Sequence, residues 1–107
     1  MKSQDKLRKF SEVIAGIVSN AYHYERANKD FPCAVWQEDG MDLMKANDRC
    51  AEISVYGSID YFTKEEFDPA IDNLFDGLTS EGICWSVEST QYEEETGLIH
   101  YEVSWRF

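Results

Sequence analysis

Every second residue from Ala51 to Tyr61 is apolar or small. Ala51, Ile53, Val55, Gly57, Ile59 and Tyr61 fall on one side, and Glu52, Ser54, Tyr56, Ser58 and Asp60 on the other. Successive side chains of a strand point to opposite faces, so a period of two means one face on a core and one in water. Such a strand needs partners in a sheet and a layer over its apolar side.

Partners follow along the chain. Ile83, Trp85 and Val87 alternate with Cys84, Ser86 and Glu88. Ile99, Tyr101, Val103, Trp105 and Phe107 alternate with Leu98, His100, Glu102, Ser104 and Arg106. The turn Glu93-Glu94-Glu95-Thr96-Gly97 separates these runs and predicts a hairpin. A further run, Cys33-Ala34-Val35-Trp36, opens behind Phe31-Pro32, and proline is tolerated at the start of a strand. It closes at Glu38-Asp39-Gly40. Residues 41–48 show no clean period and read as a long loop.

Helices supply the covering layer. Leu7, Phe10, Ile14, Ile17, Val18 and Ala21 lie within an arc of roughly 100° at ~100° per residue, which predicts an amphipathic helix over 3–21. Ile71, Leu74, Phe75 and Leu78 form a second stripe. Asp68 is its N-cap, Pro69 its first helical residue and Gly82 the residue past its end, so this helix spans 69–80. The expected fold is α+β, a single domain over 1–107. Its order is α-β-β-α-β-β, an antiparallel four-stranded sheet with two helices on one face.

Composition narrows the possible functions. A chain of 107 residues, 43% hydrophobic and 14% aromatic, holds one core and is too apolar for disorder. No apolar run approaches the ~20 residues of a membrane span. The N-terminus lacks the apolar stretch of a signal peptide, and three widely spaced cysteines give no disulfide framework, so a cytosolic protein is expected. The net charge of −11 opposes nucleic-acid binding and docking on anionic membranes. It is unevenly spread: residues 1–30 carry +2 and residues 31–107 carry −13. Copies of such a molecule repel in most orientations but favour contact between the basic end and an acidic face.

Nothing points to catalysis or a cofactor. His23, His100, Cys33, Cys50 and Cys84 lack zinc-ligand spacing. Glu65-Glu66 and the 93–95 run read as solvated carboxylates rather than an acid/base pair. Asp39, Asp42, Asn47 and Asp48 do not match an EF-hand, and no glycine-rich phosphate loop or local triad occurs. Trp36, Trp85 and Trp105 read as sheet packing. Met41, Leu43 and Met44 lie between acidic residues in the expected loop. They either dock on a partner or fold back over their own core.

The stretch Phe31-Pro-Cys-Ala-Val-Trp-Gln-Glu-Asp-Gly40, the polar loop ending Ala46-Asn47-Asp48, Ile59-Asp-Tyr-Phe-Thr-Lys64, Phe67-Asp-Pro69, Glu81-Gly-Ile83 and Leu98-Ile-His-Tyr101 resemble a family of small siphophage and prophage proteins. These are tail-terminator or tail-completion proteins of the head–tail joining region. The three cysteines are not features of that pattern. The resemblance implies a non-enzymatic ring subunit, typically a hexamer, at the head-proximal end of the tail tube. The implied partners are further copies, the tail-tube protein and the head–tail connector proteins. The implied location is the host cytoplasm during assembly, then the virion tail. Lys2, Lys6 and Lys9 with Met41, Leu43 and Met44 are the expected interface residues. Glu52, Asp60, Glu88 and Glu102, on the polar sheet face, are expected to line a DNA-repelling pore. The competing expectation is a small acidic DNA mimic that inhibits a host nucleic-acid-binding protein.

Overall fold

The computed structural model describes residues 2–26, 30–46 and 49–107, without the side chains of 44–46 and 49–51. In chain order the elements are α1 (Ser3–Ile17), β1 (Ala21–His23), β2 (Cys33–Ala46), β3 (Arg49–Thr63), α2 (Pro69–Ser80), β4 (Cys84–Glu93) and β5 (Leu98–Arg106). The strands form one sheet in the order β1-β2-β3-β5-β4. β2 to β5 pair antiparallel, as expected, but β1 joins β2 in parallel. The fold is thus α+β with two helices, and the sheet is five-stranded and mixed rather than four-stranded and antiparallel.

The extra strand comes from residues assigned to the first helix. α1 stops at Ile17, and Val18 is already extended. The backbone of 20–24 is satisfied by β2 instead: Ala34 N–H donates to Asn20 O and Tyr24 N–H to Trp36 O, both at 2.9 Å. Val18 is buried all the same, so the apolar stripe runs on through the helix end.

The expected loop over 41–48 is also overturned for its described residues, since 41–46 are strand, while Asn47 and Asp48 lie outside the described residues. β2 shifts register between Glu38 and Gly40, leaving Asp39 as an extra residue. A bulge of one residue reverses which parity faces the core. Trp36 faces inward before the bulge, and Met41 and Leu43 share the face of Val55 and Ile53 after it. Gly57 makes the bulge sterically possible, because a Cβ there would sit 1.9 Å from Gln37 O. β4 carries a second shift, between Val87 and Ser89.

Both helices lie on one face and share one core with it. Phe10 stacks on Trp105 with ring centroids 3.8 Å apart and tilts against Trp36 at 4.9 Å. Ile14, Leu74, Leu78, Val55, Ile59 and Val103 are fully buried around them. α2 starts and ends where Asp68, Pro69 and Gly82 place it. Asp68 Oδ1 accepts from Ala70 N–H at 2.8 Å, and Gly82 turns the chain with φ 75°. The other carboxylate oxygen of Asp68 accepts from the buried Tyr61 hydroxyl at 2.8 Å. Burial pushes the Asp68 pKa up, but the bonds from Ala70, Thr63 and Tyr61 outweigh it and hold the carboxyl below its ordinary value. Burial, then the Asp68 carboxylate, raise the Tyr61 phenol.

Asp68→Ala removes a helix cap and strands a buried hydroxyl. The loss should be about 2–4 kcal/mol in urea unfolding. Because the folded pKa is depressed, Asp68 contributes stability above the unfolded pKa of about 3.9. That contribution is lost as pH falls through the folded value. The variant should therefore lose part of the wild type's acid-side decline, and an unchanged slope below pH 5 would contradict this role of Asp68.

Candidate functional site

β1 covers β2 only at 34–36, and β5 pairs with β3 from Tyr56 to Thr63. Past those partners, β2 and β3 run on together as a two-stranded arm, paired from Met41↔Val55 to Ala46↔Arg49. The arm gives the molecule its length, 52 Å against 23 and 22 Å. Met41 and Leu43 on it are 45% and 56% exposed, too open to belong to the core of their own chain.

Two cations fix the base of the arm, one on each side of the sheet. From α1, the Lys6 ammonium donates to Ile53 O at 2.5 Å and Phe107 O at 3.3 Å, and lies 3.8 Å from Glu52 and 5.6 Å from the Phe107 ring centre. On the opposite side, Arg106 lies over the Tyr56 ring at 4.6 Å. It donates to Ser54 Oγ at 2.9 Å and Asp42 Oδ2 at 3.2 Å. The Tyr56 ring occupies the space beside Gly40, where any Cβ would meet its hydroxyl.

The candidate interface residues divide accordingly. Lys6 is only 8% exposed and bound to its own chain, which removes it from any docking role. Lys2 and Lys9 are exposed, and Lys9 lies 3.8 Å from Glu81, linking the helices. The Met44 side chain lies outside the described residues.

Three of the four expected pore acids come together. Asp60 sits directly opposite Glu102, whose carboxylate accepts from Ser89 Oγ at 3.3 Å, while Glu88 accepts from Ser104 Oγ at 2.7 Å. Like charges facing each other across strands repel. His100 partly offsets this: its Nε2 is 2.8 Å from Asp60 Oδ1, and its ring stacks on Phe62 at 4.4 Å. Glu52 stands apart, at the base of the arm beside Lys6. With Arg106, His100, Val35 and Phe62 on the same side, the face without helices is an acidic patch among mixed residues rather than acidic throughout. At its Cys33 end, Arg26 lies over the Phe31 and Phe62 rings at 5.1 and 5.9 Å, and Cys33 is buried.

A second polar group pins β1. The His23 ring lies between Trp36, at 3.8 Å, and Tyr24, at 3.7 Å. Its Nε2 donates to Glu38 Oε2 at 2.7 Å, and the Tyr24 hydroxyl donates to Glu38 Oε1. Burial raises the Glu38 pKa, but these two bonds outweigh it and hold the carboxyl below its ordinary value; the bond to Glu38 raises the Tyr24 phenol. An open cleft of about 420 Å³ between this group and α1 includes Arg8 and Gln4. Through Glu38 the group ties β1 and the residue after it to β2. Among the described residues, no three His, Cys, Asp or Glu side chains converge as metal ligands, and no helix is long and apolar enough to cross a membrane.

β4 forms the expected hairpin with β5, but its place as an open edge of the sheet was not read from the sequence. It is an edge strand of ten residues, nearly all exposed. Trp85 is tied down by stacking on Phe75 at 4.1 Å and donating to Thr79 Oγ1 at 2.9 Å. Beyond it, Val87 and Tyr92 are left open on the helix-bearing face. Phe67 was also missed: it stands 89% exposed at φ 59°, because the residue a hydrophobic staple would meet is Asp72. No protein-family model and no curated protein matches the chain.

The arm's exposure has a measurable consequence. Met41→Ser with Leu43→Ser should leave the melting temperature within about 2 °C of wild type, since exposed positions change stability by under about 0.5 kcal/mol. A large drop in melting temperature would place both residues in the monomer core.

Proposed function

We propose that this chain is a structural ring subunit of a phage or prophage tail, acting at the head-proximal end of the tail tube. One observation carries the reading: the molecule has two unlike exposed surfaces, an apolar arm at one end and an open acidic edge strand at its side. A closed ring is built by such pairs meeting head-to-tail, whereas a two-fold dimer uses one self-complementary patch. The resemblance in the sequence supplies the expected number, six, and the expected partners, the tail-tube and connector proteins. Assembly in the host cytoplasm and residence in the virion follow from the same reading.

In this reading the uncovered sheet face turns towards the axis. Asp60, Glu88 and Glu102 then recur around a channel, with Glu52 farther along the wall. Repeated carboxylates in a narrow channel focus a negative potential. DNA carries a charge every ~1.7 Å and is held by lysine and arginine that replace its counterions. A wall of acids offers no such replacement and lets the duplex pass without adhering.

Light scattering over a concentration series, alone and with tail-tube protein, tests the ring. The expected species is about 74 kDa, six times the 12.4 kDa chain. A strict monomer that also ignores the tail tube overturns the proposal. Tight binding to a basic nuclease by that monomer would establish the DNA-mimic reading instead.

The pore is tested separately by Glu102→Lys, on β5 and away from both open strand edges. Rings should still form, but DNA release should slow, and the defect should ease as salt shortens the screening length below about 10 Å. Normal infection at low salt by particles carrying this variant would remove the acidic-pore role.

A further inference from the structure

We infer that neighbouring copies join by strand addition: the free outer edge of β4 in one copy pairs with the free outer edge of the β2 arm in the next. The inference takes its partner, a second copy, from the ring reading above.

Both edges are open over matching lengths. Nothing described pairs with the outer side of β4 along Cys84–Glu93, and β1 leaves β2 unpaired beyond Trp36, through to Ala46. Each edge presents a row of backbone N–H and C=O groups that another strand can satisfy. Edge strands are commonly protected by proline or lysine, and β4 has neither.

The side chains agree with the backbone. After its bulge, β2 places Met41 and Leu43 on the helix-bearing face. β4 leaves Val87 and Tyr92 open on that same face. Rotation about a ring axis keeps this face on the same side in every copy. Pairing the two edges therefore brings the four apolar residues together on one side of a continuous sheet, and each covers surface the other leaves wet.

Charge weighs against pairing β4 with β4. β4 carries Glu88 and Glu93 and no base, and Glu94 and Glu95 follow directly. Two β4 edges would set acid against acid. The β2 edge carries Lys45 among Glu38, Asp39 and Asp42, so of the two edges only this one offers a base. The contact is therefore between unlike surfaces.

Two variants separate the surfaces. Val87→Lys with Tyr92→Lys blocks the strand edge, and Met41→Glu with Leu43→Glu blocks the arm. All four positions are exposed, so each variant should keep the wild-type circular dichroism and melting. Each alone should lose self-association by about tenfold or more. An equimolar mixture should form a heterodimer of about 25 kDa, twice the 12.4 kDa chain, because one good surface remains on each partner. In wild-type protein, β4 amides should gain hydrogen-exchange protection on assembly, a readout independent of any substitution. Assembly by the edge-blocked variant, a mixture that stays monomeric while wild type assembles, or unprotected β4 amides in the assembly would each overturn the inference. If wild type pairs through these edges but builds open chains that ignore the tail tube, the ring reading fails and the strand pairing stands. If wild type never associates, both fall.

Discussion

Asp39 is one residue more than the β2–β3 ladder needs, and the orientation of the arm depends on it. Without that bulge, strict alternation from Trp36 would turn Met41 and Leu43 to the uncovered face, among Ser54 and Tyr56. A one-residue slip moves every later side chain across the sheet. With the bulge, the arm extends the apolar face of the domain beyond the reach of α1. Two glycines permit it: Gly57 lets the β2 backbone approach, and Gly40 leaves room for the Tyr56 ring.

An arm of two strands has little stability of its own, so its base must be held. Lys6 and Arg106 do this from opposite sides. Burying a lysine is expensive unless it is hydrogen-bonded and paired, and here two carbonyls accept from it and the Glu52 carboxylate lies 3.8 Å away. Arg106 joins β5 to Asp42 on β2 and Ser54 on β3, so one planar group spans three strands. These contacts set the arm's direction, while apolar burial under the helices stabilises the body. The cations that composition suggested for docking are thus divided between internal clamps and the surface.

Elements with an uninterrupted period were legible in the sequence. The 51–61 alternation lies wholly inside β3, α2 runs from Pro69 to Ser80 behind its Asp68 cap, and β4 and β5 form the expected hairpin. Readings failed where a bulge reset the period or where one apolar stripe served two elements. Met41 and Leu43 looked patternless because Asp39 had changed their parity. Val18 looked helical because it fills the same core from an extended backbone. The clamps were invisible for another reason: Lys6 and Arg106 lie a hundred residues apart in the chain, and only the closing of β5 against β3 brings both to the arm. The acid patch was half legible, since alternation puts Asp60 and Glu102 on one face but only strand order sets them side by side.

In the proposed assembly, charge and apolar edges act against each other. Residues 31–107 carry −13, so approach of two copies is unfavourable in most orientations. Salt weakens that repulsion over distances beyond about 8 Å. It hardly affects apolar burial or backbone pairing at contact. Repulsion therefore suppresses random adhesion of a molecule that exposes Leu43, Phe67 and Tyr92, and it does so most strongly where acids meet acids. An edge strand this open would be an aggregation site in a neutral protein. Surrounded by carboxylates, it is left with few partners it can accept, and in the proposed contact the arm meets it through apolar side chains on the matching face.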